Sequence, residues 1–357
     1  MEKIKPKISV VVPAYCRPDF LNVLIASFEK QTFKDSELVI LDDSPVEKSV
    51  ESIVKKYSDK KIRYIRNPEN LGFCKNLLKS INSANGEYIL ILGDDDILGN
   101  ENTLEEYVKI FEKYPDVGLV YSNQIQFNNN YLTDYVYKHF EKNVYCKTTE
   151  ESLENIWLLT CFISGIGLRN NINFTKLYPN ENILFPQVEL IGKILGNQNS
   201  YGIAKFLIGS RAHQEQLGFK AVNKKNIKGD EKHSAYELNI IFKEILNYYK
   251  KFLNKEISLN KDFVDRFFEN KHMTIFPSEK INTNNWEILK VFKQSFKNNP
   301  YVIFNLRFMF YFIFSLITPA KILYIIKEWK KREFIKNFSK EVKIFNNYLD
   351  LLCQTKQ

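Results

Sequence analysis

Gly86–Leu98 reads GEYILILGDDDIL, an apolar run that ends in three consecutive aspartates. Tyr88–Leu92 has the length and composition of a strand buried on both faces, the kind found inside parallel sheets. Asp94, Asp95 and Asp96 then stand at its carboxyl end, the edge where open α/β sheets bind ligands. Three carboxylates this close repel one another unless they share something positive. A hard divalent cation with oxygen ligands is the usual partner. The plainer alternative is a charged turn in which Asp96 or Asn100 caps the following helix.

Upstream, strands and helices alternate. Ile8–Val12 (ISVVV) is a β-branched run that stops at Pro13, and Asp19–Lys30 follows with helical spacing at Phe20, Leu24 and Phe28. Glu37–Leu41 repeats the pattern and ends in Asp42 and Asp43, with Val46–Tyr57 expected as its helix. Lys61–Arg66 supplies a third strand and Leu71–Ser83 a third helix. Such alternation predicts an α/β fold with a mainly parallel sheet and right-handed crossovers. Downstream, helices are expected at Thr103–Tyr114, Glu150–Leu159 and Phe185–Leu195, and strands at Val117–Ser122, Cys161–Leu168 and Tyr201–Ile208. Asn123–Tyr145, rich in Asn and Tyr, reads as a hairpin or an irregular excursion. Cys161–Leu168, with Ser164 and Gly165, is expected to line an acceptor side.

The 357 residues suffice for one sizeable α/β domain, placed at 1–225, and a helical region at 226–357. A net charge of +9 is compatible with nucleic acid, anionic lipid or a phosphorylated substrate. The positive charge lies beside apolar helices and not in a groove-reading motif, so no nucleic-acid partner is expected. The five cysteines are scattered and odd in number, which points to a reducing compartment. The amino terminus reads as a first strand broken by Pro13, not a signal peptide, and the expected location is cytoplasmic. Tyr301–Thr318 is the most apolar stretch, but Asn305 and Arg307 interrupt it and Pro319 ends it, whereas a span needs about 20 apolar residues. Lys321, Lys327, Lys330, Lys331, Arg332 and Lys336 follow, interleaved with aromatics. That combination favours peripheral contact with an anionic membrane, here its inner face. The alternative is a helical bundle packed on the catalytic domain or on a second copy of the chain.

In a doubly wound sheet the strand ends carrying Asp42 and Asp43 share an edge with Asp94–Asp96. A cation at the second cluster would attract a diphosphate to this acidic crevice. A carboxylate at the first can accept from a pyrimidine ring N–H, a task suited to Asp43, while Asp42 reads as a helix cap. Within Asn67–Asn76, Gly72 permits close backbone approach and Lys75 offers a cation to a diphosphate.

Taken in order, Ile8–Tyr15, Gln31-Thr32-Phe33, Leu41–Ser44, Asn70-Leu71-Gly72 with Asn76, and Gly86–Tyr88 running into Gly93–Asp96 resemble the family-two glycosyltransferases of the GT-A fold. These are inverting nucleotide-sugar transferases, and the resemblance covers roughly the first 125 residues. It implies that Pro13 and Tyr15 frame the base, that Asp43 contacts the pyrimidine, and that Asn76 and Lys75 lie on the donor side. It implies Mn²⁺ or Mg²⁺ at the aspartate cluster. Gly93 stands where the family shows an acid, so Asp95 becomes the first choice for the direct ligand, with Asp94 toward ribose or metal and Asp96 in support. The catalytic base of such enzymes sits at a helix start in the second half of the domain, which resembles Phe185–Leu190 and singles out Glu189. A shifted register would place that acidic pair on Pro186 and Gln187, leaving no carboxylate there. Arg211-Ala212-His213 resembles the late arginine–histidine element: Arg211 would neutralise the leaving diphosphate and His213 would reach phosphate or metal. The implied reaction transfers sugar from a UDP-sugar to a hydroxyl of a cell-surface glycan or lipid-linked acceptor. Two other readings are a nucleotidyltransferase, although PAYCRPDF lacks the glycine of a phosphate loop, and a non-catalytic membrane-associated assembly protein.

Overall fold

The computed structural model describes residues 5–46, 49–57, 61–171, 174–177, 185–212, 234–257, 284–298 and 300–354. His213 and the expected boundary near residue 225 lie outside them.

Four strands form the first half of the sheet: β1 (Ile8–Ala14), β2 (Ser36–Asp42), β3 (Ile62–Arg66) and β4 (Tyr88–Ile91). They pair in parallel in the order β3-β2-β1-β4. The connecting helices are α1 (Pro18–Glu29), α2 (Glu51–Val54) and α3 (Phe73–Asn82). Two hydrophobic cores enclose the sheet, Val11 joining Leu77, Ile81 and Trp157, and Val10 and Val12 joining Leu21, Leu24 and Tyr107. Burial on both faces explains why β1 reads as an unbroken apolar run with no alternation. Gly86 precedes β4 because a Cβ there would lie 2.6 Å from the Ser9 backbone nitrogen.

Helix α2 is much shorter than the Val46–Tyr57 stretch expected of it. Asp42 accepts hydrogen bonds from Ser49 Oγ at 2.8 Å and the Val50 nitrogen at 3.1 Å. The first residues of the stretch are therefore used to cap the helix and cannot be part of it.

The second half contains β5 (Ile97–Leu98), α4 (Thr103–Lys113), β6 (Val117–Phe127), β7 (Thr133–Tyr137), β8 (Val144–Cys146), α5 (Thr149–Asn155), β9 (Ile166–Arg169), α6 (Pro186–Leu195) and β10 (Asn199–Arg211). The sheet continues β4-β9-β6-β10-β5 and is mixed here, because β9 runs antiparallel to both β4 and β6. The two reversals leave β6 and β10 parallel to β4, so the ends of β1, β2, β4 and β10 share one edge. The start of β9, not its end, reaches that edge. Strand β6 extends five residues past the expected Ser122 and turns back as β7, the hairpin reading of Asn123–Tyr145.

The remaining helices are α7 (Ser234–Tyr248), α8 (Asn285–Asn298), α9 (Leu306–Ile317), α10 (Ala320–Asn337) and α11 (Ser339–Gln354). Helix α11 returns to the catalytic sheet, where Phe345, Tyr348, Leu349 and Leu352 bury against Val23, Ala26, Ile97, Ile125 and Phe127. Among the described residues, no helix is long and apolar enough to cross a membrane.

Candidate active site

The aspartate corner is a tight turn between β4 and β5. The Asp96 nitrogen donates to the Gly93 carbonyl at 3.2 Å, and the Gly93 nitrogen donates to Ser164 Oγ at 2.7 Å. A Cβ on Gly93 would meet Asp95 Oδ1 at 3.0 Å, Asp96 Oδ2 at 3.1 Å and Ser164 Oγ at 3.2 Å. Absence of the family's acid at this position therefore leaves room for the other carboxylates. Ser164, just before the reversed β9, is brought to the corner and donates to Asp96 Oδ2.

All three acids are nearly buried, at 4%, 9% and 2% exposure for Asp94, Asp95 and Asp96. They are not equivalent. Asp96 Oδ1 accepts from the Arg211 backbone nitrogen at 2.7 Å, so Asp96 ties the corner to β10. Asp94 Oδ2 accepts from the Tyr15 nitrogen at 2.8 Å, tying it to β1. The remaining Asp94 oxygen and Asp95 Oδ2 converge on one nitrogen of Arg17, at 3.0 and 2.6 Å. Burial and the charge of Asp95 push Asp94 and Asp96 above the ordinary carboxylate range.

Arg17 was not singled out from the sequence. Its signal was its place just beyond β1, whose end adjoins that of β4 in the 3-2-1-4 order. Cys16 turns the chain with φ of 56°, an uncommon left-handed value for a non-glycine residue, and donates its backbone N–H to Ser44 Oγ at 2.8 Å. The guanidinium is then aimed at Asp94 and Asp95, with only 16% of its side chain exposed.

Arg211 is a support from beneath. Its Nε donates to the Asp95 carbonyl at 3.1 Å, and its guanidinium lies 4.5 Å from the Phe20 and Phe127 rings and 4.9 Å from Tyr131. Its two terminal nitrogens are buried without hydrogen-bond partners, and cation–π contact supplies their stabilisation.

The pyrimidine-reading candidate organises the neighbouring loop. Asp43 Oδ1 accepts from Asn67 Nδ2 at 2.7 Å and the Leu71 nitrogen at 2.8 Å, and Oδ2 accepts from the Gly72 nitrogen at 3.0 Å. Burial outweighs these bonds and raises its pKa. Asn76, 3% exposed, accepts from Asn67 Nδ2 at 3.0 Å and so braces the same loop. Lys75 is exposed on α3, and Pro13 and Tyr15 are half-buried at the end of β1. Tyr15 sits between the two acid groups, its hydroxyl pKa raised first by burial and also by the charges of Cys16 and Asp43.

Gly72 adopts φ of +80° while presenting its N–H to Asp43, and a Cβ there would meet nothing within 4 Å. Gly72→Ala therefore isolates backbone strain: a loss of about 1–2 kcal/mol in chemical denaturation is expected. A neutral result would mean that the loop relaxes away from the left-handed conformation.

Glu189 lies in the first turn of α6, 5% exposed, with Oε1 at 2.6 Å from Lys193 Nζ one turn on. Beside it, Gln187 donates to the Cys161 carbonyl at 2.9 Å, and its Oε1 is buried without a partner. Cys161 is three residues before Ser164, so the start of α6 and the aspartate corner are held by one segment.

Among the described residues, no group of three or more His, Cys, Asp or Glu side chains is arranged to hold a metal ion. Asp94 and Asp95 nevertheless fit one. Their oxygens already focus on a single cationic nitrogen, and Mg²⁺-type ions bind through one or two carboxylates, completing their shell with waters and substrate phosphates. Asp96 is committed to Ser164 and β10.

Residues 9–173 match the family model described as Glycosyl transferase family 2. An uncharacterized glycosyltransferase of Methanocaldococcus jannaschii is 40% identical over 124 residues, 34% of this chain and 42% of that protein. The GalNAc(5)-diNAcBac-PP-undecaprenol beta-1,3-glucosyltransferase of Campylobacter jejuni is 36% identical over 96 residues, 26% of this chain and 31% of that protein. The chain spans about two-fifths of the length of the first curated relatives it matches. The crystal structure of S. aureus TarS 1-349 in complex with UDP-GlcNAc superimposes with a TM-score of 0.51 at 16% identity, covering 83% of this chain and 90% of that one, a likeness of fold. Residues 9–173 thus match glycosyl transferase family 2, and the fold is of the GT-A type.

Proposed function

We propose that the chain is an inverting glycosyltransferase that takes a sugar from a UDP-linked donor and delivers it to a hydroxyl of a lipid-linked or cell-surface glycan. The observation that carries this reading is the convergence of Asp94 and Asp95 on one cationic point, at the edge where β1, β2 and β4 end. Asp94 and Asp95 would hold Mn²⁺ or Mg²⁺, and when bound the ion neutralises charge on the departing diphosphate. A carboxylate has about four acceptor positions, so Asp43 keeps one for a pyrimidine N–H beyond its three loop donors. Tyr15 and Pro13 would flank the base, and Lys75 would reach the phosphates. Arg211 would hold the Asp95 backbone in place and add positive potential beneath the diphosphate, with His213 two residues on.

Inversion needs a base on the acceptor's face to take the hydroxyl proton. Glu189 is assigned this role, with Lys193 orienting it. Glu189→Gln is expected to lower sugar transfer by about 10²–10⁴-fold, the usual worth of a positioned base. Full transfer by the variant would favour the register that puts Pro186 and Gln187 in the base position. UDP-GlcNAc is the first donor to try, since S. aureus TarS binds it.

A lipid-linked acceptor is supported by the Campylobacter relative's undecaprenol-linked substrate and by the apolar face of α9. Leu306, Phe310, Ile313 and Ile317 share that face and are 86%, 61%, 49% and 73% exposed. On α10, Ile322, Ile325 and Trp329 are exposed as well, as are Lys321, Lys327 and Lys330. Apolar side chains beside lysines match the inner face of an anionic membrane. Flotation with phosphatidylglycerol vesicles should recover the native protein and lose Phe310→Asp/Ile317→Asp. Equal recovery of the two, or none of the native protein, rejects membrane docking by this face.

A further inference from the structure

Arg17 places a positive charge where the aspartates would receive a metal. One guanidinium nitrogen contacts Asp94 Oδ1 at 3.0 Å and Asp95 Oδ2 at 2.6 Å. The second Asp94 oxygen, Oδ2, accepts from the Tyr15 nitrogen, and Asp96 is held by Ser164 and Arg211. A divalent ion bound by two carboxylates sits about 2.0–2.6 Å from each oxygen. Both cations cannot occupy one such point. Leaving Asp94 and Asp95 buried with no cation would also be costly, because like charges a few ångströms apart resist joint ionisation.

We infer that Arg17 is a built-in counter-cation that closes the aspartate corner in the free protein and competes with the divalent ion for Asp94 and Asp95. A divalent ion at these oxygens would have to displace the guanidinium, which is carried on a flexible side chain, 16% exposed, just beyond the end of β1. Cys16, in its left-handed turn, and Pro18, at the start of α1, fix the backbone on either side of Arg17. The exchange is therefore a side-chain movement. The guanidinium prevents the corner from standing empty and charged between turnovers. This inference rests on the proposed metal reading of the corner.

The test is calorimetric titration of Mn²⁺ into the full chain without donor, comparing the native protein with Arg17→Gln. Competition taxes the native affinity by the fraction of protein in which Arg17 is disengaged, so the variant should bind Mn²⁺ about tenfold more tightly or better. Thermal unfolding supplies a second readout. Arg17→Gln should be less stable than the native protein in EDTA and should gain more from added Mn²⁺. Equal or weaker Mn²⁺ binding by a folded Arg17→Gln, beside measurable native binding, overturns the competition and leaves the metal reading standing. No Mn²⁺ binding by either protein overturns both. Transfer by the native protein that is undiminished in EDTA and lost in Arg17→Gln also overturns the inference, since the guanidinium would then be the permanent cation.

Discussion

Asp95→Asn is expected to reduce sugar transfer by about 10²–10³-fold, the scale on which a single group that stabilises developing charge is missed. The substitution preserves shape and removes one negative charge. Asp95 is the most exposed residue of the three, at 9%, and its Oδ2 meets the shared cationic point at 2.6 Å. Its backbone is held independently through Arg211 Nε, so the turn between β4 and β5 should persist in the variant. The loss should therefore appear in kcat with little change in the unfolding midpoint. Activity within a factor of about two of the native protein would remove Asp95 from the charge-stabilising role, because such roles are worth kilocalories.

Phe345→Ala should destabilise the protein by about 3–5 kcal/mol, the range for deleting a buried phenyl ring, and should also lower activity. Phe345 belongs to the last helix, far from the motifs in sequence, yet it is 3% exposed and packs against Phe127 with ring centroids 6.0 Å apart. Phe127 is in turn one wall of the aromatic box around Arg211. A ring edge of Phe345 also lies where a Cβ on Gly209 would be, at 2.8 Å, so helix and β10 are closely fitted. Leu351→Ala on the same helix is the control: at 42% exposure it should change stability by less than about 0.5 kcal/mol. Chemical denaturation measures both. Similar small shifts for the two would mean that α11 does not buttress the corner.

The parallel half of the sheet was legible because its strands are buried on both faces and its helices carry regular apolar spacing, signals local to each segment. The acid groups could be placed at strand ends for the same reason, and the ends of β1, β2, β4 and β10 share one edge. What was not legible depends on pairing between distant segments. The apolar composition of β9 is the same whether it runs parallel or antiparallel, so its reversal and the arrival of Ser164 beside Asp96 carried no local mark. Arg17 reads as an ordinary polar residue at a helix start until the order β1-β4 sets it against two carboxylates. The terminal helix shows an apolar stripe, but a stripe does not say which surface it covers. Asp42 and Asp43 illustrate a different limit: the sequence assigns the cap to Asp42 and the base-facing role to Asp43, but the bonds by which Asp43 holds Asn67, Leu71 and Gly72 carry no local mark.

The most direct measurement is nucleoside diphosphate release from a panel of nucleotide sugars by the purified full chain, with Mn²⁺ and with EDTA. Metal-dependent release from at least one UDP-sugar, absent in Asp95→Asn, is the predicted result. Release that is indifferent to both metal and Asp95, or no release from any donor in the panel, would contradict a metal-assisted donor site at the aspartate corner.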